Sequence, residues 1–220
     1  MFALPPNTVV GKKIPKTKFY QHLSISSKEK QVFIDEIEAI IWHHKLSPDT
    51  IAICAGDLVQ EIQIFEIQLR QKQFNPIILR LIDQAVPYHI LYLLVWKNDG
   101  CLAIGYKERK GQTEEYGRVV QYYYSEWMPR DSIKPEFTGL SLDTMYDNLV
   151  RQILPEEQPQ LKNLKDTILL QKEIERQRRV CEILEKKVKN ERQFNIQIRL
   201  NRELRREWKK LESLLASSDT

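Results

Sequence analysis

The chain has 220 residues, 42% of them apolar and 29% charged, with a net charge of +4. That is enough for one domain and an extension, and it suits a charged surface around an ordinary core. No run of about 18 uncharged apolar residues occurs, so no membrane span is predicted. The opening MFALPPNTVVGKK lacks the layout of a secretory signal. Cys54, Cys101 and Cys181 are odd in number and far apart, which predicts free thiols and a cytoplasmic protein.

Residues 1–25 read as a basic arm broken by Pro5, Pro6 and Pro15, with a short helix around Thr17–Leu23. Ser26 and Glu29 then form a capping box, with each side chain placed to satisfy the other's backbone amide. Phe33, Ile37, Ile40, Ile41 and His44 follow at helical spacing and predict one helix lasting until Pro48. IAIC at 51–54 reads as a short strand, and EIQIFEIQLR at 61–70 is the strongest strand of the chain. Asn75-Pro76 opens a helix that Pro87 closes. YHILYLLVW at 88–96 reads as a central strand, Asn98-Asp99-Gly100 as a hairpin turn, and CLAIGYKE at 101–108 as the returning strand. VVQYYYSEWM at 119–128 reads as a further strand, and Ser141 caps a helix running to about Leu154. The expected fold is α+β: a mixed, mostly antiparallel sheet with covering helices over residues 1–154. Pro155, Glu156, Glu157 and Pro159 mark a linker over 155–160.

Residues 161–217 contain no glycine or proline, and they read as a helical coiled-coil extension. One seam runs Leu170, Ile174, Gln177, Cys181, Leu184, Val188, Glu191. A second runs Phe194, Gln197, Asn201, Leu204, Trp208, Leu211, Leu215. The step from Glu191 to Phe194 breaks the phase. A hairpin bent near Asn190–Ile196 is the favoured reading; one continuous helix, about 90 Å long, is the alternative. Leu184, Val188, Phe194, Leu204, Trp208 and Leu211 are the residues expected to meet a partner helix, including a second copy of the chain.

The charge is uneven. From Arg176 to Lys210 there are 13 basic and 5 acidic residues, a local charge of +8. Arg176, Arg178, Arg179, Lys186, Lys187, Lys189, Arg199, Arg202, Arg205 and Arg206 are therefore candidates for contact with DNA phosphates. A solvated, basic helix face explains the same composition.

KIPKTKFY, VFIDEIEAIIWHHKLSPDTI, IFEIQL, AVPYHILYLL and NERQFNIQIRLNRELRREWKKLESL together resemble the bacterial domain-of-unknown-function family 4391, from about Pro15 to Leu215. The most specific part is QFN followed by LNRELR. The resemblance implies an origin beside genes for SNF2-type helicases, DNA methyltransferases and type III-like restriction enzymes. It thus implies a part in restriction or antiphage defence, and the leading reading is an accessory or scaffold subunit docked on a helicase or methyltransferase. It brings no catalytic residues.

The best enzymatic pattern is a carboxylate set of the PD-(D/E)xK nuclease type, with Asp57 ahead of a strand and Glu66-Ile67-Gln68 on it. Such sites use two acids to hold Mg²⁺ and a lysine to position water. Alternation puts Glu66 and Gln68 on one face. Glutamine replaces the lysine, which favours a degenerate site, and an ordinary solvated strand face is the plainer reading. His43 and His44 would diverge on a helix, and His22 and His89 stand alone. CxxC, HExxH, GxSxG and GxxxxGK[ST] are all absent, so neither a metal site nor a cofactor is expected. Tyr122, Tyr123, Tyr124 and Trp127 read as strand residues filling a core rather than a stacking surface for bases.

Overall fold

The computed structural model describes residues 2–20, 23, 25–109, 117–154, 161 and 163–216. The chain divides into two compact units, Met1–Leu154 and Pro155–Thr220. The segment read as a linker, 155–160, and His22 lie outside the described residues.

The first unit is a mixed sheet with helices. Its strands are β1 (Val9–Ile14), β2 (Ile37–Leu46), β3 (Ile62–Leu69), β4 (His89–Trp96), β5 (Asp99–Glu108), β6 (Arg118–Tyr124) and β7 (Met128–Pro129). Its helices are α1 (Thr17–Tyr20), α2 (Ser27–Glu36), α3 (Ile77–Ala85) and α4 (Leu142–Ile153). The sheet runs β1-β2-β3-β4-β5-β6 in chain order, with β7 paired to the start of β5. All neighbours are antiparallel except β3 and β4, which are parallel and joined through α3. A parallel pair needs such a crossover.

The Ser26–Glu29 capping box forms as predicted: Ser26 Oγ accepts from the Glu29 amide at 3.2 Å, and Glu29 Oε2 from the Ser26 amide at 2.8 Å. The helix it starts is much shorter than its apolar spacing suggested. It ends at Glu36, and the chain continues directly as β2. IEAIIWHHKL is rich in β-branched and aromatic residues, and pairing with β1 and β3 on both sides outweighs the helical spacing. The carbonyls at the end of α2 are met from elsewhere: Lys16 donates to the Phe33, Ile34 and Ile37 carbonyls, and the Arg70 amide to that of Glu36 at 2.9 Å.

Four further expectations change. Part of the arm is edge strand β1; Gly11, at φ +62, sits where its register slips, and exposed Lys12 and Lys13 protect the edge. Residues 51–54 do not form a strand; only Cys54 bridges, to Ser141. The β4–β5 turn centres on Lys97 and Asn98, because Trp96 already pairs with Asp99, and Lys97 takes φ +53. The stretch 119–128 divides into β6 and part of β7.

One sheet face carries the main core. Phe65 and Ile67 of β3, with Tyr92 and Leu94 of β4, pack against Phe33 of α2 and the apolar stripe of α3. Ile78, Leu79, Leu81 and Ile82 of α3 are all buried, each contributing about 1.5–3 kcal/mol relative to exposure. On the other face, α4 lies over β5 and β6, and the Tyr146 hydroxyl donates to the Gly105 carbonyl at 2.6 Å. Asp143, in the first turn of α4, accepts the amides of Asp57 (2.7 Å), Leu58 (3.2 Å) and Val59 (2.7 Å). Gly56 permits this approach, since a Cβ there would stand 2.1 Å from the Asp143 carboxylate.

The main core also holds a buried ion pair. Asp83 of α3 meets Lys107 of β5 at 3.1 Å, and the hydroxyls of Tyr92 and Tyr122 donate to it at 2.8 and 2.6 Å. Lys107 spends its other donors on the Pro87 and Tyr88 carbonyls at 3.2 and 2.6 Å. Burial pushes the Asp83 carboxyl up, against the pull of Lys107 and the tyrosines. His89, at the start of β4, is buried, neither ring nitrogen has a hydrogen-bond partner among the described residues, and burial lowers its pKa to about 3.

The second unit is a helical hairpin, α5 (Leu164–Asn190) and α6 (Phe194–Ala216), turning through Glu191–Gln193. Glu191 is extended, at φ −77 and ψ 129, so the break needs no glycine. Ile174, Gln177, Cys181 and Leu184 form the buried stripe of α5. The Gln177 side chain donates to the Glu207 carbonyl at 3.0 Å and its carboxylate at 2.7 Å, and Gln197 donates to the Val188 carbonyl at 3.3 Å.

The Asp83–Lys107 pair yields a prediction. Lys107→Met leaves a buried carboxylate without its cation and should cost about 3–5 kcal/mol. Urea unfolding should show a lower midpoint at an unchanged slope. A midpoint equal to wild type would show that the pair does not support the core.

Candidate functional site

Glu66 stands in the middle of β3, between β2 and β4. The strand is buried on both faces, so its charge is sealed in rather than solvated; the residue is 1% exposed. Three donors from three parts of the chain meet it. Gln68, two residues along and on the same face, donates to Oε1 at 2.8 Å. His43 Nε2 lies 2.8 Å from Oε2, and Arg130 donates to Oε2 at 2.6 Å.

Gln68 is placed by strand alternation, and the other two donors by local irregularities. The β2–β3 register slips between Trp42 and His44, so His43 has no partner across the ladder and turns toward Glu66. It belongs to a bulged strand, not to a helix. Arg130 follows β7 in a short 3-10 turn, and its amide donates to the Asn98 carbonyl at 2.9 Å. Burial pushes the Glu66 carboxyl up, but the hydrogen bonds from His43 and Gln68 and the charge of Arg130 outweigh it. The group settles below the ordinary value.

Glu66, His43 and Arg130 line a partly open cavity of about 280 Å³ together with Phe2, Leu93 and Ile133, with His44 and Asp131 at its wall. His44 is buried, and burial, then the neighbouring His43, lower its pKa. The Thr8 hydroxyl has one proton and donates it to the Pro5 carbonyl at 2.7 Å, so His44 Nδ1, at 2.9 Å, is the donor to Thr8. His44 Nε2 is then left as an acceptor.

Asp57 is not part of this cavity. It is exposed on the loop ahead of β3, its amide held by Asp143 and its carbonyl by Arg109. Glu66 thus has donors around it, and the second acid on its cavity is Asp131 rather than Asp57. Among the described residues, no three His, Cys, Asp or Glu side chains are placed to share a metal ion. The arrangement can anchor the Arg130 guanidinium and orient the His43 ring at the cavity. Tyr123 is buried, Tyr122 and Trp127 pack at the edge of the main core, and Tyr124 is exposed.

On the hairpin, Arg176, Arg178, Arg179, Lys186, Lys187, Lys189, Arg199, Arg202, Arg205 and Arg206 are all exposed. They do not share one face. Arg199, Arg202 and Arg206, continued by Lys209, recur at steps of three and four and form one stripe on α6, away from Leu204 and Leu211. Among the described residues none of these four has an ion pair, whereas Arg176 pairs with Glu173 at 2.6 Å.

The predicted seam is only partly the buried one. Leu184 and Leu211 are buried, and Val188 and Leu204 half-buried. Phe194 is 72% and Trp208 42% exposed. The α6 stripe actually turned inward is Gln197, Leu200, Leu204, Glu207, Leu211; the helix is rotated so that polar Gln197 and Glu207 reach hydrogen-bond partners on α5. Trp208 falls to the side, lining a groove with Cys181 and Leu211.

Sequence reasoning missed His43 and Arg130 as partners of Glu66. The available signal was a single acid inside the apolar string IQIFEIQL, where burial demands compensation.

The low pKa of Glu66 fixes a pH dependence. A carboxylate held below its ordinary 4.5 contributes its full stability above that pH and loses it as pH falls through the folded-state value. Glu66→Gln should therefore cost about 1–3 kcal/mol at pH 7, with the deficit shrinking below about pH 4. Denaturation curves of both proteins at several pH values check this; a deficit independent of pH would contradict it.

No curated protein and no solved structure matches the chain. A family model does, over residues 2–211, covering the sheet, the Glu66 cavity and nearly all of the hairpin. The chain belongs to that family, described as domain of unknown function DUF4391.

Proposed function

We propose that this protein is a non-catalytic accessory subunit of a DNA-processing defence or restriction complex, with the outer face of α6 meeting DNA. The observation that carries the DNA contact is the stripe of Arg199, Arg202, Arg206 and Lys209. Four cations without ion pairs among the described residues line one helix face over about 15 Å. Phosphate oxygens are what such a row recognises, with no information about base sequence. Arg205 stands beside the row, and the local charge of +8 adds long-range attraction.

The larger partner in this reading is a helicase or DNA methyltransferase, as the gene neighbourhood implied by the sequence resemblance suggests. A cytoplasmic site of action fits three free thiols, two of them buried. No helix among the described residues is long and apolar enough to cross a membrane. The alternative, a Mg²⁺-dependent nuclease, draws no support from the geometry: Glu66 is saturated by donors, and Asp57 does not line its cavity.

The test is charge reversal. Arg199→Glu, Arg202→Glu and Arg206→Glu together should weaken duplex binding by a similar factor for every sequence. They should also lower the salt slope of log K by about 3, at about 0.9 per lost phosphate contact. Fluorescence anisotropy across a salt series measures both, and unchanged affinity and slope would overturn the DNA contact.

A further inference from the structure

The other helix of the hairpin has a different surface. On α5, Leu169, Arg176, Val180, Ile183 and Lys187 recur at steps of seven, four, three and four. This is a heptad stripe, rotated from the buried one. Leu169 is 51% exposed, Val180 36% and Ile183 54%. Two shallow grooves, of about 260 and 570 Å³, meet at Ile183 and form one channel along the helix. Its floor is apolar: Val180, Ile183, Ile196 and Leu200. Its rim carries five cations, Lys172, Arg176, Arg179, Lys186 and Lys187, against Glu175 and Glu191.

We propose that this channel docks an acidic amphipathic helix of a partner protein. An apolar floor shared by Val180 and Ile183 of α5 with Ile196 and Leu200 of α6 takes the apolar stripe of a helix, and the flanking charges select its partner. Here the flanks are basic, so the complementary helix carries Glu or Asp on both sides of its stripe. A second copy of this chain would bring the same cations face to face, which charge repulsion opposes. DNA would satisfy the rim but leave the floor uncovered, unlike the α6 stripe, where cations make up the row by themselves. The inference deepens the accessory-subunit reading by naming its docking face, and it stands apart from the DNA contact on α6.

The experiment uses the full chain and two labelled synthetic helices of about four heptads, with Leu and Ile on the stripe and either Glu or Lys flanking it. The Glu-flanked peptide should bind at least about tenfold more tightly than the Lys-flanked one, with affinity falling as salt rises. Val180→Glu with Ile183→Glu should weaken that binding by about tenfold or more while duplex binding is unchanged. Both positions lie outside the buried stripe, and circular dichroism confirms that the helices persist. Equal binding of the two peptides, no binding, or no effect of the double substitution would overturn the proposal. So would a concentration-dependent dimer abolished by that substitution, which assigns the face to a second copy. Displacement of the peptide by duplex DNA would assign it to nucleic acid. Loss of DNA binding in the α6 variant with peptide binding intact would separate the two surfaces.

Discussion

A charge buried in the middle of a sheet must be answered by donors, and much of the first unit is arranged around that demand. Glu66 lies in a strand covered on both faces, so little of it meets bulk water. Its three donors come from β3 itself, from the bulge in β2 and from the turn after β7. The bulge that looks like a fault in the ladder is what delivers His43. The two-residue β7 sets the position from which Arg130 reaches back across 64 residues of chain. On the opposite face, Asp83 and Lys107 solve the same problem between α3 and β5, with two tyrosine hydroxyls completing the shell. Removing either partner of such a pair leaves an uncompensated charge inside, which is what couples the elements that carry them.

This division explains how much of the molecule was legible in its sequence. Caps and strongly patterned strands were readable because their signals are local: Ser26 with Glu29, Ser141 before α4, the apolar run of β4. The segment Ile37–Leu46 was misread because Phe33, Ile37, Ile40, Ile41 and His44 satisfy helical spacing, and only pairing with β1 and β3 decides the matter. The same holds for β1, whose lysines and glycine resemble a loop until β2 is beside them. The site was half legible. Glu66 and Gln68 share a face as alternation requires, but His43 and Arg130 reach them through a register slip and a long-range return, which no local spacing encodes. In the hairpin, the break of phase after Glu191 located the turn, while the preference of Gln197 and Glu207 for polar partners set the rotation of α6.

The hairpin separates two kinds of positive surface that composition merges. The row on α6 is mainly charge, and the channel on α5 is apolar with charge at its rim. A net charge per segment averages over both. Rotation about the helix axis distinguishes them, and that rotation is fixed by the polar contact of Gln177 with Glu207 as much as by apolar packing.

The strand order has a consequence for how the first unit comes into being. Because sheet order is chain order from β1 to β6, each strand finds its neighbour in the piece made just before it. Closing such contacts costs little loop entropy, which favours rapid folding and lets the sheet grow from one edge during synthesis. The one parallel step waits for α3, and the ties that come last are the long ones. Asp143 gathers the amides of residues 57–59 from more than 80 positions away, and Arg130 closes on Glu66. The cavity is therefore finished only when the domain is, so its walls come together after the sheet that supports them.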